Sequence, residues 1–139
     1  MNAGTTFTMS NDSSIKPAGD FDIDAGSTAT LQLIDAAGDV NVDAAAGILL
    51  NDAVATTSGG DVTLASSAGA IEMADYSRVV SEGTTSLTAA TGVRVYDITS
   101  VKDVDVTAGT SVVLSGELKT LDDAPVAITA SAGHVQMDN

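Results

Sequence analysis

The chain has 139 residues, enough for one domain with a real core, yet aromatics are only 3% and tryptophan is absent. Its core must therefore be built from Val, Ile, Leu and Ala at close spacing. Nineteen acids against five bases give a net charge of -14, which repels nucleic acid and anionic membrane. The lack of cysteine excludes disulfides and thiolate-held zinc.

In chain order, short alternating runs succeed one another with apolar residues two apart. Phe7/Met9 comes first. Phe21/Ile23 and Ala29/Leu31 follow, then Val40/Val42 and Ile48/Leu50, then Val62/Leu64 and Ile71/Met73. Thr85/Leu87 and Val93/Val95 come next, then Val104/Val106 and Val112/Leu114, and finally Val126/Ile128 and Val135/Met137. Alternation with a period of two, rich in Val, Ile and Thr, predicts strands. No stretch carries the helical apolar stripe, and none approaches the ~20 apolar residues of a membrane span. The opening "MNAGTTFTMS" has neither the basic start nor the apolar middle of a signal peptide.

The spacings reveal the architecture. First runs start 19, 22, 23, 19 and 22 residues apart, and second runs 22, 19, 23, 22, 19 and 23. The same three numbers recur and sum to 64. Sliding residues 1–75 onto 65–139 without a gap gives 16 identities. These include Ile34 with Ile98, Asp39-Val40 with Asp103-Val104, and Ser67-Ala68-Gly69 with Ser131-Ala132-Gly133. An antiparallel sandwich has no reason to keep one coil length, whereas a solenoid must. The expected fold is an all-β, right-handed parallel β-helix (β-solenoid) of about 21 residues per coil in a 64-residue super-repeat. It forms one domain over 1–139, a segment of a longer repeat array or a filament subunit. Each unit has two strands, a small-residue corner and a more variable third part.

The segments "GDVTLASSAGAIEM", "GDVNVDAAAGILL", "VDVTAGTSVVL" and "VAITASAGHVQM" resemble the stalk repeats of filamentous-haemagglutinin-like large secreted adhesins. The resemblance covers about residues 4–139 and is one of pattern. It brings no active-site motif and so transfers no functional residue. It implies a rigid secreted spacer that projects a binding tip.

Candidate chemistry is sparse. Asp20, Asp22 and Asp24 should point to solvent from one strand, with Asp39, Asn41 and Asp43 at equivalent positions of the next coil and Asp61 continuing the first column. Stacked carboxylates about 5 Å apart repel unless bridged. Asp20, Asp22, Asp24, Asp39 and Asp43 are thus candidate ligands for calcium, which takes oxygen donors, although no known calcium motif is present. A solvated acidic face is the simpler reading of the same residues. His134 is the one histidine and lies on an outward position. No serine has a histidine partner, so a catalytic triad is excluded. Arg78 and Arg94 are the only arginines, and Tyr76 and Tyr96 are too few to form the aromatic platform a sugar-binding groove would want. The outward Thr63, Thr84, Ser86, Thr88, Thr107 and Thr129 suit strands, with glycan attachment or recognition of a cell-surface or glycan ligand as the alternative reading. The expectation is a structural, non-enzymatic segment of an extracellular fibre or adhesin stalk, with no nucleic acid partner and no membrane insertion. A short subunit polymerising end to end is the first alternative, and a carbohydrate-active β-helix enzyme the second.

Overall fold

The computed structural model describes the backbone of residues 2–138 and the side chains of residues 4–138. Every strand pairing among them is parallel, and no helix is present. The chain winds as a three-sided β-solenoid. The first sheet stacks Asn2–Ala3, Phe21–Ala25, Val40–Ala44, Val62–Ser66, Thr85–Ala89, Val104–Ala108 and Val126–Ala130 in that order. The second stacks Phe7–Thr8, Thr28–Leu31, Gly47–Leu50, Ile71–Met73, Val93–Val95, Val112–Leu114 and Val135–Met137. A third sheet is formed by Ser14–Ile15, Leu33–Ala36, Ala53–Thr56, Arg78–Ser81, Asp97–Ser100 and Leu118–Thr120. The variable third part of each unit is therefore a strand as well.

Register follows the repeat. Phe21, Val40, Val62, Thr85, Val104 and Val126 form one continuous column, so the 19, 22 and 23 spacings are the lengths of successive coils. The differences in length are taken up at the corners, since the five-residue strands of the first sheet pair without a slip. Parallel stacking is possible here because each crossover is itself a strand of another sheet. All three sheets turn one face to a shared interior.

That interior is the core. Val40, Val62, Leu64, Leu31, Leu50, Ile71, Leu87, Val95, Ile34, Val54, Val79 and Ile98 are all fully buried. Small residues close the ends of strands, as with Ala25, Ala44, Ala89 and Ala108. Each large buried side chain stabilises the fold by about 1.5–3 kcal/mol relative to exposure, against the entropy of ordering the chain.

The third sheet solves a corner problem with hydroxyls. Its last inward position carries Thr56, Ser81, Ser100 and Thr120, while Ala36 begins the same column. Thr56 Oγ1 donates to the Gly60 carbonyl at 2.6 Å and Ser100 Oγ to the Gly83 carbonyl at 2.6 Å. Thr120 Oγ1 donates to the Ala124 carbonyl at 2.8 Å, and Ser81 Oγ reaches the Gly60 carbonyl at 3.0 Å. The Gly60 and Gly83 carbonyls already accept the Gly83 and Lys102 N–H groups of the next coil, so the hydroxyls add a second bond to them and satisfy their own donors within the buried corner.

Thr85, in the first sheet, departs from that economy, as do the hydroxyls of Ser13 and Ser115. Thr85 is fully buried between Val62 and Val104, and its hydroxyl has no hydrogen-bond partner. Thr85→Val keeps the shape and removes an unsatisfied polar group. Urea denaturation is expected to show a gain of about 1–2 kcal/mol; a loss of stability would mean that the hydroxyl is bonded.

Burial fades toward the C-terminal end without any change of direction. Val126 is 43%, Val135 45% and Met137 70% exposed, although their column mates Val104 and Val112 are buried. These side chains still face the core axis. No described coil covers them.

Candidate functional site

The aspartates resolve into a backbone-capping ladder. Asp20 Oδ1 accepts the Asp39 N–H at 3.0 Å, Asp39 Oδ1 accepts the Asp61 N–H at 2.9 Å, and Asp61 Oδ1 accepts the Thr84 N–H at 2.7 Å. Each carboxylate reaches one coil onward to the equivalent residue of the next corner. The reason is geometric. The residue just before each first-sheet strand gives its carbonyl to the strand of the coil before it, as Asp39 does to the Phe21 N–H and Asp61 to the Val40 N–H. Its own N–H finds no carbonyl in the ladder and is met by a side chain instead. A negatively charged acceptor strengthens such a bond, and the N–H dipoles ease the repulsion between stacked acids.

The other members lie on the outer face of the first sheet. Asn41 Nδ2 donates to Asp22 Oδ1 at 2.9 Å, so an amide rather than a second acid lies next to Asp22 in that column. Asp24 and Asp43 are paired neighbours and rim an open hollow of about 400 Å³ floored by Ala25, Ala44, Ala65 and Ser66. The five calcium candidates thus fall in three columns, Asp20 with Asp39, Asp22 alone and Asp24 with Asp43, and among the described residues no three His, Asp or Glu side chains come together as a metal cluster. The ladder was not foreseen from sequence, where a column of acids reads as a solvated face. The signal that could have found it is the recurrence of Asp immediately before a strand.

Removing one rung tests the ladder. Asp39→Ala leaves the Asp61 N–H without its acceptor and is expected to cost about 1–2 kcal/mol despite lowering the net negative charge. Asp105→Ala, an exposed position on the same sheet, lowers the charge equally and is expected to be neutral or slightly stabilising. Equal effects in chemical denaturation would reduce the ladder to general electrostatics.

The remaining candidates are scattered. His134 and Arg78 are exposed. Thr63 and Ser86 stand side by side on the outer face of the first sheet, Thr88 and Thr107 likewise. Two ion pairs occur among the described residues, Lys16 with Asp35 at 3.2 Å and Arg94 with Asp75 at 2.9 Å. Both are exposed and worth about 0–1 kcal/mol each.

One corner, between the second and third sheets, gathers unlike chemistry. Tyr76 and Tyr96 lie in successive coils with ring centroids 5.6 Å apart and planes tilted by 52°. Tyr96 is half-buried against the core, whereas Tyr76 is 86% exposed. Arg94 and Asp75 pair beside them. Partial burial raises the Tyr96 hydroxyl above its ordinary value of 10.0, helped by Tyr76, Asp97 and Asp75 and opposed by Arg94. The hydroxyl is therefore a donor throughout the physiological range. Sequence reading counted these tyrosines as too few for a platform. Their separation of about one coil is what makes two rings into one surface.

Comparison with family models, with curated proteins and with solved structures returns no match for this chain.

Proposed function

We propose that the chain is a structural segment of a β-solenoid shaft, the stalk of an extracellular surface fibre or adhesin, lengthened by stacking one coil on the next. The observation that carries this reading is the open layer at the C-terminal end. Val126, Ile128, Val135 and Met137 continue columns that are sealed in every interior coil, and half or more of the Met137 surface meets water. The strands Val126–Ala130, Val135–Met137 and Leu118–Thr120 are also the last of their sheets. Their unpaired backbone groups offer a template for another strand. An apolar layer ringed by strand edges fits a further coil of the same kind, supplied by more chain or by another copy. Neighbour-only contacts then let the shaft extend unit by unit, and a heterologous contact of this type generates open rods rather than closed rings.

The surface supports a passive shaft. The ladder carboxylates are engaged with backbone N–H groups, and the hollows on the faces are shallow and open. Sedimentation velocity and electron microscopy of the 139-residue chain test the proposal. Concentration-dependent, end-to-end species are expected, and Met137→Glu, which charges the open layer without touching an interior coil, is expected to return them to monomers of unchanged melting temperature. A chain that stays monomeric at high concentration, or that associates equally well with Met137→Glu, would show that the layer is not a stacking surface.

A further inference from the structure

Tyr76 occupies the third position of the turn Ala74–Ser77, with φ +69°. The turn is closed twice onto the Ala74 carbonyl, by the Ser77 N–H at 3.0 Å and by Ser77 Oγ at 2.7 Å, and Ser77 is fully buried. This backbone state suits glycine. For a bulky residue it is strained and persists where the surroundings enforce it. The core gains little from the ring in return, since Tyr76 is 86% exposed. Its one aromatic neighbour is Tyr96, itself anchored against the core. The fold thus holds one tyrosine as a support and presents the other.

Arg94 links this presented ring to a polar hollow. Its guanidinium donates to Asp75 Oδ1 at 2.9 Å beside Tyr76. In register, Arg94 sits next to Glu72 on the second sheet. Glu72, Arg94 and Ser111 line a shallow hollow of about 110 Å³ on that sheet. An open aromatic face therefore stands next to an ion pair whose guanidinium also lines a surface bearing a carboxylate and a hydroxyl.

The mixture selects the ligand. A cation would stack on Tyr76 favourably, but the adjacent Asp75 is already paired with Arg94 and Asp97 already accepts the Glu117 N–H. An anion would meet Glu72, Asp75 and Asp97 and a chain of net charge -14. A neutral pyranose meets neither obstacle. Its C–H face suits the tyrosine ring, and its neighbouring hydroxyls both donate to carboxylates and accept from planar guanidinium groups. We propose that the corner formed by Glu72, Asp75, Tyr76, Arg94 and Tyr96 binds a neutral glycan, with one sugar ring stacked on the open face of Tyr76. The site lies within one chain and holds whether or not the shaft is extended at its ends.

The chain has two tyrosines and no tryptophan, so its intrinsic fluorescence reports directly on this pair. Titration of the full chain with neutral oligosaccharides of glucose, galactose and mannose is expected to give a saturable change with at least one of them. Binding to choline or to an oligouronate is expected to be weaker by about tenfold or more, equivalent to about 1.4 kcal/mol. Saturation-transfer NMR then reads the variants independently of the tyrosine signal. Tyr76→Gly, which suits the turn, is expected to abolish transfer to the sugar while the melting temperature holds or rises, and Tyr76→Phe is expected to retain it. Silence with every neutral sugar, a response confined to choline or to the uronate, or undiminished transfer in folded Tyr76→Gly would each overturn the proposal.

Discussion

Val62→Asp is expected to prevent folding, while Thr63→Asp, one residue away, is expected to cost less than about 1 kcal/mol. The two positions differ only in the face they use. Val62 is fully buried, stacked between Val40 and Thr85 in the first sheet. A carboxylate there has no cation within the apolar interior and no space to escape, since coils above and below are already in contact. Leaving such a charge unpaired is worth more than about 4 kcal/mol, a large part of the ~5–15 kcal/mol that keeps an ordinary domain folded. Thr63 points outward between Asn41 and Ser86, where an added charge is solvated and only joins existing acids. Far-ultraviolet circular dichroism and thermal melts separate the outcomes. Equal shifts for the two substitutions would refute the inward assignment of the whole column.

The second large effect is steric. A side-chain carbon on Gly69 would meet the Ala46 carbonyl, and the Gly47 nitrogen at 3.0 Å. These are backbone atoms of the coil below, held by the bond from Ala46 N–H to the Ser27 carbonyl at 2.8 Å, so they cannot give way locally. Gly69→Ala is expected to destabilise by about 1–3 kcal/mol or more, because coils must separate at that corner. Gly19 provides the contrast, since nothing lies within 4 Å of a carbon added there and its φ is not left-handed. Gly19→Ala is expected to be neutral or to stabilise by about 0.4–1 kcal/mol through the unfolded chain. Denaturant midpoints decide between these signs; a mild Gly69→Ala would mean that the coils stack less closely than the structure has them.

Much of this fold was legible in the sequence because a solenoid imposes one simple condition. Each inward residue must find its equivalent one coil away, so the pairs Val40/Val42, Val62/Leu64 and Val104/Val106 recur at coil length and their spacings can be read directly. The third sheet was hidden for a physical reason. Its strands pair one apolar residue, such as Ile34, Val79 or Ile98, with an inward small or hydroxyl residue, such as Ala36, Ser81 or Ser100. Apolar alternation fails there because the inward corner position takes a short side chain, whose hydroxyl where present bonds to a corner carbonyl. The aspartate ladder was hidden likewise, since its partners are backbone N–H groups that become visible only when the corner is built. The five aspartates read as calcium candidates share a face but not a point, which a column drawn from sequence cannot distinguish. The tyrosine corner depends on a turn of left-handed backbone at Tyr76, which nothing in "MADYSRVV" announces.

The stacking of equivalent residues coil on coil is the claim from which everything else follows, and a single distance tests it. Asp22 and Ala127 lie in one column, joined through Asn41, Thr63, Ser86 and Asp105. Five steps of about 4.8 Å place their backbones about 24 Å apart along the axis. The chain has no cysteine, so Asp22→Cys and Ala127→Cys accept spin labels without interference. Pulsed electron resonance is expected to give one narrow distribution centred near that separation, broadened only by the label arms. A broad distribution, or a distance that places the two labels side by side, would contradict the stacked rod.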